Sequence, residues 1–179
     1  EICLRWREKI IEWKYQVVDR FDLSREIVSI STFYLDKYLS KHYVDEELFQ
    51  LAAMASIYLA IKVHSKKKVS ISSIASTGNG IITVEQIEAM EYSIMNDCLD
   101  WHMNPPTVVN YIENFYPLIA TLVIDCCGNA NTGVRQQDAY SLHVQQAIED
   151  SLELSRFLAE LSVCVYPFIK AKSSSIAFA

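Results

Sequence analysis

Between Asp45 and Val63 the chain reads Asp-Glu-Glu-Leu-Phe-Gln-Leu-Ala-Ala-Met-Ala-Ser-Ile-Tyr-Leu-Ala-Ile-Lys-Val, a helix-length run with almost no polar face. A helix apolar on one side can lie on a surface, whereas a helix apolar all round must be enclosed by others. The run is therefore read as the hub of a helical bundle. Its longest nearly unbroken apolar part, Leu51 to Ile61, is about half of the roughly 20 residues a membrane span needs. It is expected in a protein core and not in a bilayer.

The flanking sequence supplies the helices that would enclose it. Trp6, Ile10, Trp13, Val17 and Phe21 recur at spacings of three and four, which predicts one buried stripe on a first helix. Ser24 can cap a second helix, with Leu23 and Val28 spaced as a hydrophobic staple, and Ile27, Ile30, Tyr34 and Tyr38 give its inward face. Asp45 caps the hub, with Val44 and Phe49 as its staple. After a short segment from Ser70 to Ser76, Thr83 and Gln86 form a capping box, Ile82 and Ile87 a third staple, and Ile87, Met90, Ile94 and Cys98 the next stripe. Asn104-Pro-Pro-Thr107 breaks the chain. Thr107 then caps a further helix that Pro117 is expected to end or kink. A loop-like stretch from Cys127 to Gln137 precedes a long helical run from about Asp138 to Val165, stopped by Pro167, and Ser173 to Ala179 opens another apolar helix. The expectation is an all-α protein: a complete five-helix bundle over residues 1–104 and a second, incomplete set over 105–179.

Composition narrows the function classes. Of 179 residues 51% are apolar and 21% charged, with four Gly and four Pro, which is too hydrophobic for disorder. The formal net charge is −6, and a nucleic-acid partner would call for clustered Lys and Arg on a basic chain. The N-terminal residues lack the pattern of an export signal. Five cysteines (Cys3, Cys98, Cys126, Cys127, Cys164) without CxxC spacing suggest neither a disulfide framework nor a zinc site. His42, His64, His102 and His143 are scattered, and no GxSxG, GxGxxG or P-loop pattern occurs, so no catalytic, metal or cofactor site is expected. A protein partner is the remaining class.

Two charged features stand out from the helical pattern. Lys66-Lys67-Lys68 is either a basic patch or a solvated loop. Lys62 ends the all-apolar helix, and Glu91 is the first charged residue facing the stripe of the next long one. Opposite charges would meet at the edge of the core, or the lysine would snorkel past apolar neighbours and leave the glutamate solvated.

Together these segments resemble the cyclin box. Trp6-Arg-Glu-Lys-Ile-Ile-Glu-Trp13 is similar to its opening motif, and Tyr34-Leu-Asp-Lys-Tyr-Leu-Ser40 to its Tyr-Ile/Leu-Asp-Arg-Phe-Leu-Ser. Phe49-Gln-Leu51, Tyr58-Leu-Ala-Ile-Lys-Val63 and Met90-Glu91 resemble the next three signatures. Pro106-Thr107 and Phe157-Leu-Ala-Glu-Leu-Ser162 resemble a second box. The interval from Glu91 to Trp101 is nearest that of the D-type subgroup.

The resemblance implies a regulatory subunit, not an enzyme, that binds and activates a cyclin-dependent protein kinase in cell-cycle control. It implies a nuclear or shuttling location, and no cofactor. Lys62 and Glu91 would contact the kinase beside its mobile C-helix, with Leu59, Val63, Trp101 and Met103 packing against that helix. Arg7 and Asp36 would form a structural pair between the first two helices. Trp6, Ile10, Trp13, Phe49 and Gln50 fall where many cyclins dock short Arg-x-Leu motifs of substrates or inhibitors. Here Lys9 replaces an aliphatic residue and Gln16 an acidic one, which disfavours a basic motif. The alternative is a cyclin-fold adaptor in transcription that binds protein partners without activating a kinase, although factors of that kind are typically basic.

Overall fold

The computed structural model describes the backbone of residues 2–78, 80–128 and 134–179, and the side chains of residues 5–78, 80–125 and 143–179. The described secondary structure is helical throughout. The chain divides into two compact units, Glu1–Pro105 and Pro106–Ala179.

In the first unit α1 spans Ile2–Arg20, α2 Glu26–Leu39, α3 Glu46–His64, α4 Ile71–Ala75 and α5 Val84–Ser93. Local side chains set the starts. Asp45 accepts from the Leu48 N–H at 2.8 Å, and Thr83 and Gln86 exchange bonds as a capping box. Ser24 accepts from the Glu26 N–H at 3.3 Å. The hub is α3: Ala52, Ala53, Ala55, Ile57, Leu59 and Ala60 are fully enclosed, and the helix packs against α1, α2, α4 and α5. The small alanines let neighbouring helices approach, and Tyr34, Leu35, Ile74, Ile87 and Ile94 fill the space around it.

The stripe on α1 departs from expectation. The buried seam is Arg7, Ile11, Lys14 and Val18, whereas Trp6, Ile10 and Trp13 are half-buried at its edge and Val17 alone of the anticipated set goes inside with Val18. Two cations sit inward because each finds a partner. Arg7 donates to both Asp36 carboxylate oxygens, at 3.2 and 3.0 Å, and the Lys14 ammonium donates to the Ser56 hydroxyl at 3.2 Å. Apolar periodicity cannot register a buried charge, so it selected the neighbouring stripe.

The α5 stripe continues through Ile94 and Cys98, but as a π-turn over Ile94–Cys98, closed by the Leu99 N–H on the Ile94 carbonyl at 3.1 Å. The next two residues take left-handed backbone angles, Asp100 at φ 45° and Trp101 at φ 61°.

In the second unit α6 runs Val108–Gly128 and α7 Val134–Cys164, followed by a 3₁₀ turn over Tyr166–Lys170 and α8 over Ser173–Ala177. Thr107 accepts from the Asn110 N–H at 3.1 Å and starts α6 as anticipated. Pro117 does not end that helix: α6 continues past it, and the Thr121 hydroxyl donates to the Pro117 carbonyl at 2.8 Å. The anticipated loop at Cys127–Gln137 is also shorter, since α6 reaches Gly128 and α7 begins at Val134; residues 129–133 lie outside the described ones, as do the side chains of Cys3, Cys126 and Cys127. The core is small. Val108, Ile112 and Ala159 are buried, with Val109, Leu152, Ile176 and Ala177 packed against them.

Candidate functional site

The C-terminal turn of α3 carries Lys62, Val63 and His64, and α5 packs alongside and contributes Glu91. Glu91 lies on the inward side of α5, and its side chain is only 6% exposed. A carboxylate this enclosed is costly to bury without a partner. The Lys62 ammonium is that partner, donating to Glu91 Oε1 at 2.7 Å, and the hydrogen bond holds the ammonium pKa above its ordinary value. Lys62 is itself 54% exposed and lies 6.0 Å from the Tyr58 ring centre. Of its three donors one serves Glu91, so it can bridge the buried carboxylate and an acceptor outside the bundle.

Beside the pair stands a second group of residues. His64 Nε2 lies 2.9 Å from the Met103 carbonyl, and the Tyr34 hydroxyl donates to the same oxygen at 2.5 Å. These bonds tie the chain after α5 to the end of α3. They bring Trp101 and Met103, one strongly exposed and one partly so, to the end of the bundle that carries Lys62 and Val63. The result is a surface of one half-exposed cation, an exposed indole at 61% and an exposed valine at 44%. Leu59 is not part of it: at 0% exposure it lies wholly in the core, one turn beneath, and supports the surface from inside.

The residues expected to form a docking groove divide in the same way. Trp6, Ile10 and Trp13 are half-buried and Gln50 is exposed, but Phe49 is 2% exposed and serves as floor beneath Trp6, their rings 5.8 Å apart. Lys9 and Gln16 are both exposed on α1. Arg7 and Asp36 join α1 to α2, with Arg7 nearly enclosed. Lys66, Lys67 and Lys68 are exposed, and Lys67 reaches Asp22 at 3.4 Å.

Sequence reasoning missed three polar residues of this unit: Lys14, Tyr34 as a donor, and His64. Burial pushes the Lys14 pKa down to about 7, against the opposing pull of the Asp36 carboxylate. Burial pushes the Tyr34 phenol up to about 12, so it remains a hydrogen-bond donor. The available signal for Lys14 was its spacing of seven from Arg7, two turns along one face. Among the described residues no group of three or more His, Cys, Asp or Glu could hold a metal ion, and no helix is long and apolar enough to cross a membrane.

An enclosed hub helix surrounded by its neighbours is the layout of an all-α helical bundle. A family model described as the cyclin N-terminal domain matches residues 1–104, and the chain belongs to the cyclin family. It is 28% identical over 112 residues to a putative cyclin-F3-2 of Oryza sativa subsp. japonica, covering 63% of this chain and 27% of the relative. It is 28% identical over 119 residues to the G1/S-specific cyclin-E1 of Gallus gallus, covering 66% and 29%. With the G2/mitotic-specific cyclin-B of Hydra vulgaris it shares 22% identity over 179 residues, 100% of this chain and 42% of the relative. The chain thus spans well under half the length of the curated relatives it matches, and the matches spread over several cyclin subgroups.

Proposed function

We propose that this chain is a regulatory subunit that binds a cyclin-dependent protein kinase and activates it, with Lys62, Glu91, Val63, Trp101 and Met103 as the docking face. The observation that carries the reading is the Lys62–Glu91 pair, a buried carboxylate held by a half-exposed ammonium. Activation is a population shift. A kinase is competent when its C-helix glutamate reaches the lysine that positions ATP, and a partner that prefers this arrangement stabilises it. The chain contributes binding energy and no catalytic group. The same reading makes the Pro106–Ala179 unit the beginning of a second cyclin-like domain, and places the protein in the nucleus, with or without passage through the cytoplasm. It also makes the Trp6, Ile10, Trp13 and Gln50 edge a site for short linear motifs that lack a basic anchor.

The test is co-purification with a panel of cyclin-dependent kinases, followed by phosphoryl-transfer assays. Lys62→Ala would strand the Glu91 carboxylate inside the bundle and confuse stability with binding. Lys62→Gln keeps a donor for Glu91 Oε1 and removes only the charge. It is expected to retain helicity and to weaken the complex by about 2–5 kcal/mol, the usual cost of losing one member of a desolvated interface charge pair. In the same series a labelled Arg-x-Leu peptide should show little affinity. Unchanged kinase affinity for Lys62→Gln, or no complex with any kinase, would refute the docking assignment.

A further inference from the structure

The loop that presents Trp101 is in a conformation its own sequence disfavours. After the π-turn the Trp101 N–H bonds back to the Met95 carbonyl at 3.1 Å and the His102 N–H to the Leu99 carbonyl at 2.8 Å. Asp100 and Trp101 are consecutive residues with φ near 45° and 61°. Left-handed backbone is tolerated by glycine and to a degree by aspartate, but for a tryptophan it is strained. Such strain persists only where the surroundings over-determine the chain. Something outside the loop must hold it.

The restraint is visible two residues on, where two side chains from different helices converge on the Met103 carbonyl: Tyr34 from α2 at 2.5 Å and His64 from α3 at 2.9 Å. A carbonyl oxygen only accepts, so both must donate. The phenol of Tyr34, with its pKa raised by burial, keeps its proton and gives it to Met103. His64 Nε2, also 3.1 Å from the Tyr34 oxygen, must then carry the ring proton, because an unprotonated nitrogen would set its lone pair against two oxygens. Both lone pairs of the carbonyl are thereby engaged by elements that the core fixes: Tyr34 is fully buried, and His64 is part of the hub helix.

We propose that Tyr34 and His64 are positioning residues for partner docking: by clamping the Met103 carbonyl they hold the Leu99–Met103 turn in the form that exposes the Trp101 indole. The proposal rests on the reading of that face as a kinase-docking surface. It predicts that the clamp can be loosened without damage to the Lys62–Glu91 pair. Tyr34→Phe removes only a hydroxyl, and His64→Leu removes the ring donor while keeping an apolar body. Once released, the left-handed residues relax, and the docking complex has to order the loop again. Ordering one large side chain and its turn on binding lowers affinity by up to about tenfold.

The experiment labels the chain with 5-fluorotryptophan, which gives three fluorine resonances for Trp6, Trp13 and Trp101, with Trp101 assigned through Trp101→Phe. In the Tyr34→Phe, His64→Leu double variant the Trp101 resonance should shift or split while those of Trp6 and Trp13 stay in place, and kinase affinity should fall. His64→Gln, whose amide nitrogen can donate from about the position of Nε2, should retain the Trp101 resonance of the unaltered chain. A general packing defect would move all three resonances and would not be rescued by Gln. An unchanged Trp101 resonance in the double variant, or a His64→Gln spectrum matching that of His64→Leu, overturns the clamp. If the double variant does not fold, Tyr34→Phe alone decides by the same criterion. Absence of kinase binding by the unaltered chain refutes the docking reading separately, because the fluorine spectrum is recorded without a partner.

Discussion

In the Glu1–Pro105 unit an arginine, a lysine and a glutamate lie inside: Arg7, Lys14 and Glu91 are 6%, 0% and 4% exposed. In the Pro106–Ala179 unit the departure runs the other way, with Leu118, Leu122, Phe157 and Leu158 each more than half exposed. The first unit has an enclosed hub helix, and the burial around it offsets the desolvation of the Arg7–Asp36 and Lys62–Glu91 pairs and of Lys14, which hydrogen-bonds to Ser56. The second has no helix enclosed in that manner among the described residues, and its buried apolar set is Val108, Ile112 and Ala159. The difference teaches that where charges can go is decided by how complete the surrounding core is. An ion pair such as Lys62–Glu91 can be half-buried only where the core behind it, Leu59 included, is already closed.

The largest test of this contrast is Asp36→Ala. Its carboxylate partners Arg7, whose side chain is 7% exposed, and also stabilises the charged form of Lys14. Removing it takes the counter-charge from a guanidinium that cannot return to water without opening the α1–α2 contact. The expected cost is about 3–5 kcal/mol, read by denaturant unfolding of the whole chain. A loss of less than about 1 kcal/mol would mean that water reaches Arg7 in the folded state, and the proposed division between the units would fail.

A smaller effect is expected from Lys14, through pH. The unfolded lysine titrates near 10.5, and in the folded chain burial brings it to about 7. Between these values the unfolded state binds more protons, so stability rises with pH through this window and falls as pH drops toward 7. The groups facing the ammonium are Ser56 from α3, Asp36 from α2 and Arg7 from its own helix. From pH 7 to pH 9 the unaltered chain should gain about 2 kcal/mol relative to Lys14→Met, which has no proton to lose there. Parallel stability curves for the two proteins would show that Lys14 is solvated.

These residues also mark how much of the structure was legible beforehand. The hub helix, the caps at Asp45, Thr83 and Thr107 and the inward stripe of α5 are local patterns, and the sequence states them in adjacent residues. Lys62 could be picked out because it ends the all-apolar helix and Glu91 because it is the first charge facing the stripe of the next long one, and they meet at 2.7 Å. For Lys14 the spacing from Arg7 marks only a shared face, because a charged residue enters a core only when a distant partner is present: Ser56 lies 42 residues away. The His64–Met103 bond spans 39 residues, and the left-handed turn at Asp100–Trp101 contains no glycine to announce it. Pro117, expected to end or kink α6, does not end it. Its cost to a helix is certain, but whether the helix absorbs that cost depends on what it packs against, which lies outside the local sequence.

The smallest expected effect comes from the counterpart of the Arg7–Asp36 pair in the second unit. Arg156 donates to Glu113 at 2.9 Å, joining α7 to α6 with geometry as short as that of the buried pair. The setting differs: the two side chains are 48% and 49% exposed. At such a site water screens the attraction, each ion remains hydrated when the other is removed, and holding two long side chains together costs rotamer entropy. A double-mutant cycle through Arg156→Ala and Glu113→Ala should therefore give a coupling of only about 0.2–1 kcal/mol, and raised salt should diminish it. Native-state amide exchange of α6 and α7 is the suitable measurement, because it reports the opening of this unit without requiring the first to unfold. A coupling that persists at high salt, or approaches the cost of Asp36→Ala, would show that Arg156 and Glu113 are covered in solution by something other than water. The exposed Phe157 and Leu158 next to Arg156 would then be the first residues to probe for that cover.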